Sequence, residues 1–146
     1  MKFSTKTRYG LRAMMEIANS DQKTGIFQKD IAANQDISLK YLDHIIHALK
    51  VAGLITNVRG KKSGYILTKS PSKITVFDIH SAFEPGICVI DCLSRNIKCE
   101  RENICAAKGF WGKLNNQIVT YFKTVTLKEL INEQTNLDDG SPIPCC

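Results

Sequence analysis

The chain has 146 residues, 43% of them hydrophobic, and a formal net charge of +6. These values fit one compact domain, or a small domain with an appended helical arm. No apolar run approaches the ~20 residues of a membrane-spanning helix, and the N-terminus lacks the apolar stretch of a secretory signal, so we expect a cytoplasmic protein with no membrane partner. The absence of a nucleotide-binding glycine motif and of a nucleophile–base signature argues against an enzyme.

Basic residues are concentrated in the first half of the chain. Residues 1–75 carry 13 Lys and Arg against 5 Asp and Glu, a net of +8, whereas residues 76–146 carry 7 against 9, a net of −2. Such an asymmetry is typical of a nucleic-acid footprint on the first half, although an ordinary solvated basic surface would give the same composition.

Three helices are predicted before the first strand. Residues 4–20 carry apolar side chains at helical spacing, and a short helix covers about residues 28–34. Residues 38–51 form the clearest helix, with Ser38 as N-cap and Gly53 as its stop. The outer face of this third helix is polar and basic. Two helices joined by a short turn, the second polar outside, predict a helix-turn-helix whose second helix lies in the major groove.

A β-hairpin is predicted directly after the third helix. Leu54 to Val58 and Tyr65 to Thr68 are rich in β-branched and aromatic residues, and the basic turn RGKKSG lies between them. A hairpin in this place is a wing, whose Arg59 and Lys61 can reach a minor groove or phosphates. A solvated turn is the alternative.

The second half predicts a short helix at Thr75 to Phe83 and a long helix from about Asn103 to Thr124. The long helix has a narrow apolar seam at alternating spacings of three and four, made of Ile104, Ala107, Trp111, Leu114, Ile118, Tyr121 and Val125. Such a seam suits helix–helix packing and indicates a homodimer, although it could also pack on the chain's own domain. A short last helix is predicted at residues 126–131.

The predicted fold is therefore mainly α with a small β wing, a winged helix-turn-helix domain plus a long dimerisation helix. We divide the chain into a DNA-binding domain at 1–75, with the helix-turn-helix at about 28–51 and the wing at about 54–68. The cysteine loop and dimerisation helices occupy 76–131. Residues 132–146 are polar and contain Gly and Pro, so we expect a loose tail.

Cysteines fill the loop between the short and the long helix. Their order is Cys88, Cys92, Cys99 and Cys105, spaced C-x3-C-x6-C-x5-C. Because disulfides are rare in the cytosol, such thiols indicate metal ligands or redox sensors. Zinc, iron–sulfur ligation and free thiols all stay open on spacing alone, which is not a ferredoxin spacing. The terminal Cys145 and Cys146 are interpreted as tail thiols.

Together these segments resemble the IscR/NsrR/CymR family of bacterial winged-helix transcription regulators. The resemblance covers about residues 1–133. It is carried by MKFSTKTRYGLRAM at the start, ISLKYLDHIIHALKVAGLI, the wing VRGKKSGYIL, the three cysteines from Cys92 to Cys105, Trp111 six residues later, and VTLKELI near the end.

The resemblance implies a homodimeric regulator, in our interpretation a repressor, in which Cys92, Cys99 and Cys105 hold an iron–sulfur cluster. We favour [2Fe–2S] and leave [4Fe–4S] open. The cluster would control affinity for a double-stranded DNA operator and would sense iron–sulfur status, redox state or nitric oxide. By position, Asp43 tunes base choice and Arg59 reaches the minor groove. The candidate DNA-binding residues are Lys6, Gln28, Ser38, Lys40, Tyr41, Asp43, His44, Arg59 and Lys61.

The fourth cluster ligand stays open. IscR-like members place a histidine where this chain has Lys108, which is a poor ligand when protonated. NsrR-like members can use an acidic residue where this chain has Arg8. The remaining candidates are Cys88, Asp91, Glu100, Glu102 and the Cys145–Cys146 pair. Two alternatives to this function are a cluster-free regulator of the same fold, with a zinc or thiol site and control by a partner protein, and a small electron-transfer protein, which would not need a recognition helix.

Overall fold

The computed structural model describes residues 3–59, 63–94 and 97–138. Within these ranges the chain is mainly helical, with one two-stranded antiparallel sheet, which confirms the predicted fold class. The elements are α1 (Thr5–Asn19), α2 (Gln28–Gln35), α3 (Leu39–Val51), β1 (Ile55–Asn57), β2 (Tyr65–Leu67), α4 (Val76–Ser81), α5 (Ala106–Thr124) and α6 (Leu127–Asp138). No helix in the described part of the chain combines the length and the apolar character needed to cross a membrane.

The helix-turn-helix is formed by α2 and α3. The turn between them contains Asp36, which has a left-handed backbone with a φ of 51°, a conformation that short polar side chains tolerate. Ser38 then caps α3, because its Oγ accepts a hydrogen bond from the Tyr41 N–H at 3.2 Å. Gly53, with a φ of 71°, follows the end of the helix. The predicted start and stop of the recognition helix are both confirmed.

One apolar core contains residues from α1, α2, α3 and α4, from the base of the wing and from the start of α6. Its fully buried apolar side chains include Met14, Ile17, Ile31, Leu42, Ile45, Leu49, Ile74, Ile79 and Leu127. Burying each such side chain contributes roughly 1.5–3 kcal/mol. α3 buries four side chains in this core, Leu42, Ile45, Ile46 and Leu49. Its opposite face is therefore exposed to solvent while the helix itself is anchored in the core.

The wing is fastened to the helix-turn-helix at its base. Ile55 of β1 lies opposite Leu67 of β2. Ile26 and Tyr65 also exchange backbone hydrogen bonds, at 3.2 and 2.8 Å. There the backbones approach so closely that a Cβ on Gly64 would lie within 3.0 Å of the backbone before α2. This glycine is therefore needed by the close approach.

The two helices on either side of the cysteine segment, residues 88–105, are shorter than predicted. α4 covers Val76–Ser81 instead of residues 75–83, and a capping box of Thr75 and Asp78 closes its N-terminus. α5 begins at Ala106 and not near Asn103. The residues before it use their backbone groups in tight turns, such as the 3.1 Å bond from the Ile104 N–H to the Arg101 carbonyl.

The last helix is longer than predicted. α6 extends to Asp138, so the assignment of residues 132–138 to a loose tail was wrong. The polar composition that suggested a tail contains no helix breaker before Gly140. At the other end, the Glu129 carboxylate accepts hydrogen bonds from the Thr126 N–H at 2.6 Å and hydroxyl at 2.9 Å. The backbone bond, aided by the hydroxyl, holds the pKa of Glu129 below its ordinary value.

Candidate nucleic-acid interface and cysteine segment

The outer face of α3 presents polar and charged side chains to solvent. Ser38, Lys40, Asp43 and His44 are exposed on it, and we call this surface the recognition face. Leu39 lies at its N-terminal end with 55% of its surface exposed. Sequence reasoning missed Leu39, because its apolar character gave no polar signal, yet an apolar side chain in a major groove can contact a thymine methyl group.

Tyr41 lies at the edge of the recognition face, against α1. Its ring meets that of Tyr9 edge-on, with centroids 5.7 Å apart. Beside the two rings is an open hollow of about 330 Å³, lined by Thr5, Tyr9, Asp36, Ile37, Ser38 and Tyr41. The hollow lies between the N-termini of α1 and α3, and Lys6 is exposed in the first turn of α1. Helix N-termini attract phosphate groups through their unpaired N–H donors.

Gln28, predicted to touch DNA, is half-buried behind the recognition face. Its Nε2 donates hydrogen bonds to Asp43 Oδ1 at 3.3 Å and to the Leu39 carbonyl at 3.4 Å. Its Oε1 accepts one from the Tyr65 hydroxyl at 3.3 Å. The amide therefore connects the wing to the recognition helix. Sequence reasoning gave no role to Tyr65, since nothing in the spacing of the two residues signals this contact.

Further basic groups lie on the wing and at the end of α3 that adjoins it. Arg59 is exposed after β1. Lys50 donates a hydrogen bond to Asn57 Oδ1 at 2.7 Å, and its ammonium lies 5.8 Å from the centre of the Tyr65 ring. Lys61 lies outside the described residues. The hydrogen bond between Lys50 and Asn57 joins the C-terminal end of α3 to β1, the strand that precedes Arg59.

The thiols of the cysteine segment, residues 88–105, are free in the structure. Cys88 is exposed, whereas Cys92, Cys99 and Cys105 are partly buried. Among the described residues, no three His, Cys, Asp or Glu side chains lie close enough to hold a metal ion. The donors suit a soft metal or an iron–sulfur cluster, but the three predicted ligands are not assembled into one set. Cys145 and Cys146 lie outside the described residues.

Lys108 lies among the cysteines, one turn into α5. Its Nζ donates a hydrogen bond to the Glu102 carboxylate. This bond is the main cause that raises the pKa of Lys108, and electrostatic interaction with Glu102, and to a smaller extent with Cys92 and Cys99, adds to it. A protonated amine has no lone pair for a metal. Lys108 is therefore a poor candidate for a metal ligand.

His80 connects the turn that precedes the cysteine segment to α1. It is 3% exposed, and its ring lies edge-on to the rings of Phe3 and Phe122. Its Nε2 is 3.3 Å from the Gly86 carbonyl, and its Nδ1 is 3.2 Å from the Thr7 hydroxyl. Because a carbonyl only accepts, we assign the proton to Nε2, and the Thr7 hydroxyl then donates to Nδ1.

The long helix α5 contributes no fully buried side chain. Phe110 and Tyr121 are 61% and 68% exposed, and Ile104 in the preceding turn is 83% exposed. Phe110 and Tyr121 are eleven residues apart, which is three helical turns, so they lie on one face. The predicted seam is divided, because Trp111, Leu114 and Ile118 are partly buried instead. Large apolar side chains that share an exposed helix face are a feature of interaction surfaces.

Comparison with known proteins gives one consistent result. The chain matches the family model Rrf2, iron-dependent transcriptional regulator, over residues 3–133. It is 32% identical over 138 residues to the HTH-type transcriptional regulator IscR of Photorhabdus laumondii subsp. laumondii, covering 94% of this chain and 84% of that protein. It is 34% identical over 133 residues to protein rrf2 of Nitratidesulfovibrio vulgaris, with coverage of 91% and 89%.

Solved structures agree with these matches. The chain is similar to CymR (YrzC), the global cysteine regulator of B. subtilis, with a TM-score of 0.74, 30% identity and coverage of 91% of this chain and 98% of that one. It is similar to T. potens IscR with a TM-score of 0.75, 28% identity and coverage of 99% and 94%.

Proposed function

The chain belongs to the Rrf2 family of iron-dependent transcriptional regulators, and we propose that it binds an operator with an affinity controlled by an iron–sulfur cluster on Cys92, Cys99 and Cys105. Members of this family are transcription regulators and not enzymes. The observation that carries the proposal is the recognition face, an exposed polar surface on a helix whose other side is buried in the core.

The proposed DNA contacts follow the geometry of that face. α3 lies in the major groove, where the Asp43 carboxylate can accept a hydrogen bond from the N4 amine of cytosine. The exposed Lys6 and Lys40 neutralise phosphates, and the wing reaches the minor groove. The proposed contact set is Lys6, Ser38, Lys40, Tyr41, Asp43, His44, Arg59 and Lys61, with Leu39 as an apolar addition. The predicted Gln28 is left out of this set, because its half-buried amide is hydrogen-bonded to Asp43 behind the recognition face.

The proposed regulator is a homodimer. Support comes from Phe110 and Tyr121, two large apolar side chains that are mostly exposed on one face of α5. Two copies related by a two-fold axis present two recognition helices. We therefore expect a roughly palindromic operator with half-sites about one turn, ~34 Å, apart.

The proposed cluster rests on donor chemistry and on family membership. Three thiols serve as ligands, and the bound cluster would supply a redox-sensitive link between the cysteine segment and α5. A [2Fe–2S] cluster is favoured over [4Fe–4S]. The ion pair of Lys108 with Glu102 argues against Lys108 as fourth ligand, and Cys88 is the nearest remaining thiol in sequence. Loading requires the cysteine segment to close, because the described thiols do not form one ligand set.

A second candidate is a cluster-free regulator of the same fold, with a zinc or thiol site and a partner protein. One observation favours it, the similarity to the global cysteine regulator of B. subtilis. The lack of three grouped ligand side chains among the described residues fits a thiol site better than a zinc site, which needs grouped ligands just as a cluster does. Family membership leaves the electron-transfer alternative without support.

Chemical analysis of anaerobically purified protein separates these candidates. Iron, sulfide and zinc are measured beside the ultraviolet–visible spectrum. We expect iron and sulfide in the wild type, strong loss of both in Cys92→Ala, Cys99→Ala and Cys105→Ala, and retention in Lys108→Ala. Stoichiometric zinc without sulfide, or unchanged iron in all three cysteine variants, would contradict the cluster.

DNA binding is tested separately from the cluster. Selection from randomised duplexes should return a near-palindromic sequence, and affinity should fall steeply with salt because phosphate neutralisation releases counterions. A flat salt response, or equal affinity for random duplexes, would contradict the proposal.

A further inference from the structure

The Asp43 carboxylate accepts a hydrogen bond from a residue outside its own helix. The Gln28 amide, in the first turn of α2, donates to Asp43 Oδ1 at 3.3 Å and to the Leu39 carbonyl at 3.4 Å. One amide thus spans the two helices of the motif. Because Asp43 is exposed and on the recognition face, its carboxylate would otherwise be free to change rotamer.

Gln28 is in turn oriented by the wing. The Tyr65 hydroxyl donates to Gln28 Oε1 at 3.3 Å. Reversing the amide would place its oxygen against the Asp43 carboxylate and the Leu39 carbonyl, both of which only accept hydrogen bonds. The three neighbours therefore favour one amide orientation, with its donor end towards the recognition face.

Tyr65 is itself fixed in place. Its backbone pairs with Asn57 across the wing and with Ile26 at the start of the helix-turn-helix. The Lys50 ammonium lies 5.8 Å from the ring centre. A hydrogen-bonded chain therefore runs from a rigid strand, through Gln28, to the Asp43 carboxylate.

We infer that Tyr65 and Gln28 are positioning residues. They set the base preference at the one base pair of the operator that Asp43 contacts, which we call the Asp43 step. The inference rests on the proposed function. A carboxylate held in one rotamer accepts well from a cytosine amine at one position, whereas a mobile one accommodates other bases. Neither residue needs to touch DNA for this effect, so Gln28 acts through Asp43.

The consequence is a change in specificity without a general loss of binding. Tyr65→Phe keeps the ring and removes only the hydroxyl. Gln28→Met keeps the side-chain length and removes the amide. Neither change alters a charge, so non-specific affinity and its salt dependence should stay at wild-type values. The preference at the Asp43 step should fall about fivefold, the value of one neutral hydrogen bond.

The experiment uses the full-length protein and the sequence it selects from randomised duplexes. Wild type, Tyr65→Phe, Gln28→Met and Asp43→Ala are titrated against duplexes changed one step at a time. We expect the first two variants to flatten the same step that Asp43→Ala flattens, and no other. In the double variant Tyr65→Phe/Asp43→Ala, the hydroxyl loss should have no further effect on base preference.

Two results would overturn the inference while leaving the proposed function intact. One is a wild-type base profile in both Tyr65→Phe and Gln28→Met. The other is equal weakening at every step together with a lowered melting temperature, which would make both residues merely structural. If the wild-type protein selects no sequence at all, the proposed function fails, and the inference fails with it.

Discussion

The recognition helix α3 and the long helix α5 differ in how many of their side chains are buried within this chain. α3 has 13 residues and buries Leu42, Ile45, Ile46 and Leu49. α5 has 19 residues and buries none. The winged-helix region, α1 to α3 with the wing, is buried by the core of its own chain, to which α4 and the start of α6 also contribute. The apolar side chains of α5 stay partly or largely exposed, and we propose that a second copy covers them and that a cluster binds the cysteine segment.

The largest expected effect lies in the core of the winged-helix region. Leu42→Ala should lower the free energy of unfolding by about 2–5 kcal/mol, because Leu42 is fully buried and the change leaves a cavity. Leu39→Ala is the matched control on the same helix, where the side chain is 55% exposed and a change within about 0.5 kcal/mol is expected. Urea unfolding followed by circular dichroism measures both. Equal effects would contradict the burial of α3.

The next effect concerns the exposed face of α5. Phe110→Glu should convert the dimer to a monomer and weaken operator binding on the order of a hundredfold, because a buried unpaired charge costs several kcal/mol at an interface. Asn116→Glu adds the same charge at an exposed position about 120° around the helix. It should leave the dimer intact. Sedimentation measures the assembly, and a Phe110→Glu protein that stays dimeric would place the interface elsewhere.

A smaller effect is expected where the two regions are joined. His80→Ala should cost about 1–3 kcal/mol, because it leaves the Gly86 carbonyl and the Thr7 hydroxyl without their buried partner. Hydrogen exchange should then rise most in the cysteine segment. Unchanged exchange there, with the same loss of stability, would show that His80 does not couple the regions.

The smallest effect belongs to the wing. Arg59→Ala should weaken operator binding about tenfold, equal to ~1.4 kcal/mol, while the melting temperature stays unchanged. The residue is exposed after β1, so its removal leaves no cavity. Binding titrations beside thermal melts measure both quantities. A melting temperature that falls in step with affinity would make Arg59 structural.

The sequence predicted the winged-helix region well because its signals are local. Ser38, Gly53 and the apolar stripe of α3 mark one helix within a short stretch of chain. The extent of α6 was missed because polar residues without a helix breaker fit a helix and a tail equally. The Gln28–Asp43 and Lys108–Glu102 contacts could not be predicted, since they depend on how separate segments meet. Whether three cysteines form one ligand set depends on loop closure, which spacing does not determine.

The central claim is that a cluster on the cysteine segment controls the recognition face. The most direct measurement titrates the selected operator with anaerobic wild-type protein before and after cluster removal, beside Cys105→Ala treated identically. We expect the affinities of the two wild-type states to differ at least tenfold, about 1.4 kcal/mol. Cys105→Ala should stay at the cluster-free value throughout. Equal operator affinity with and without the cluster would contradict the account.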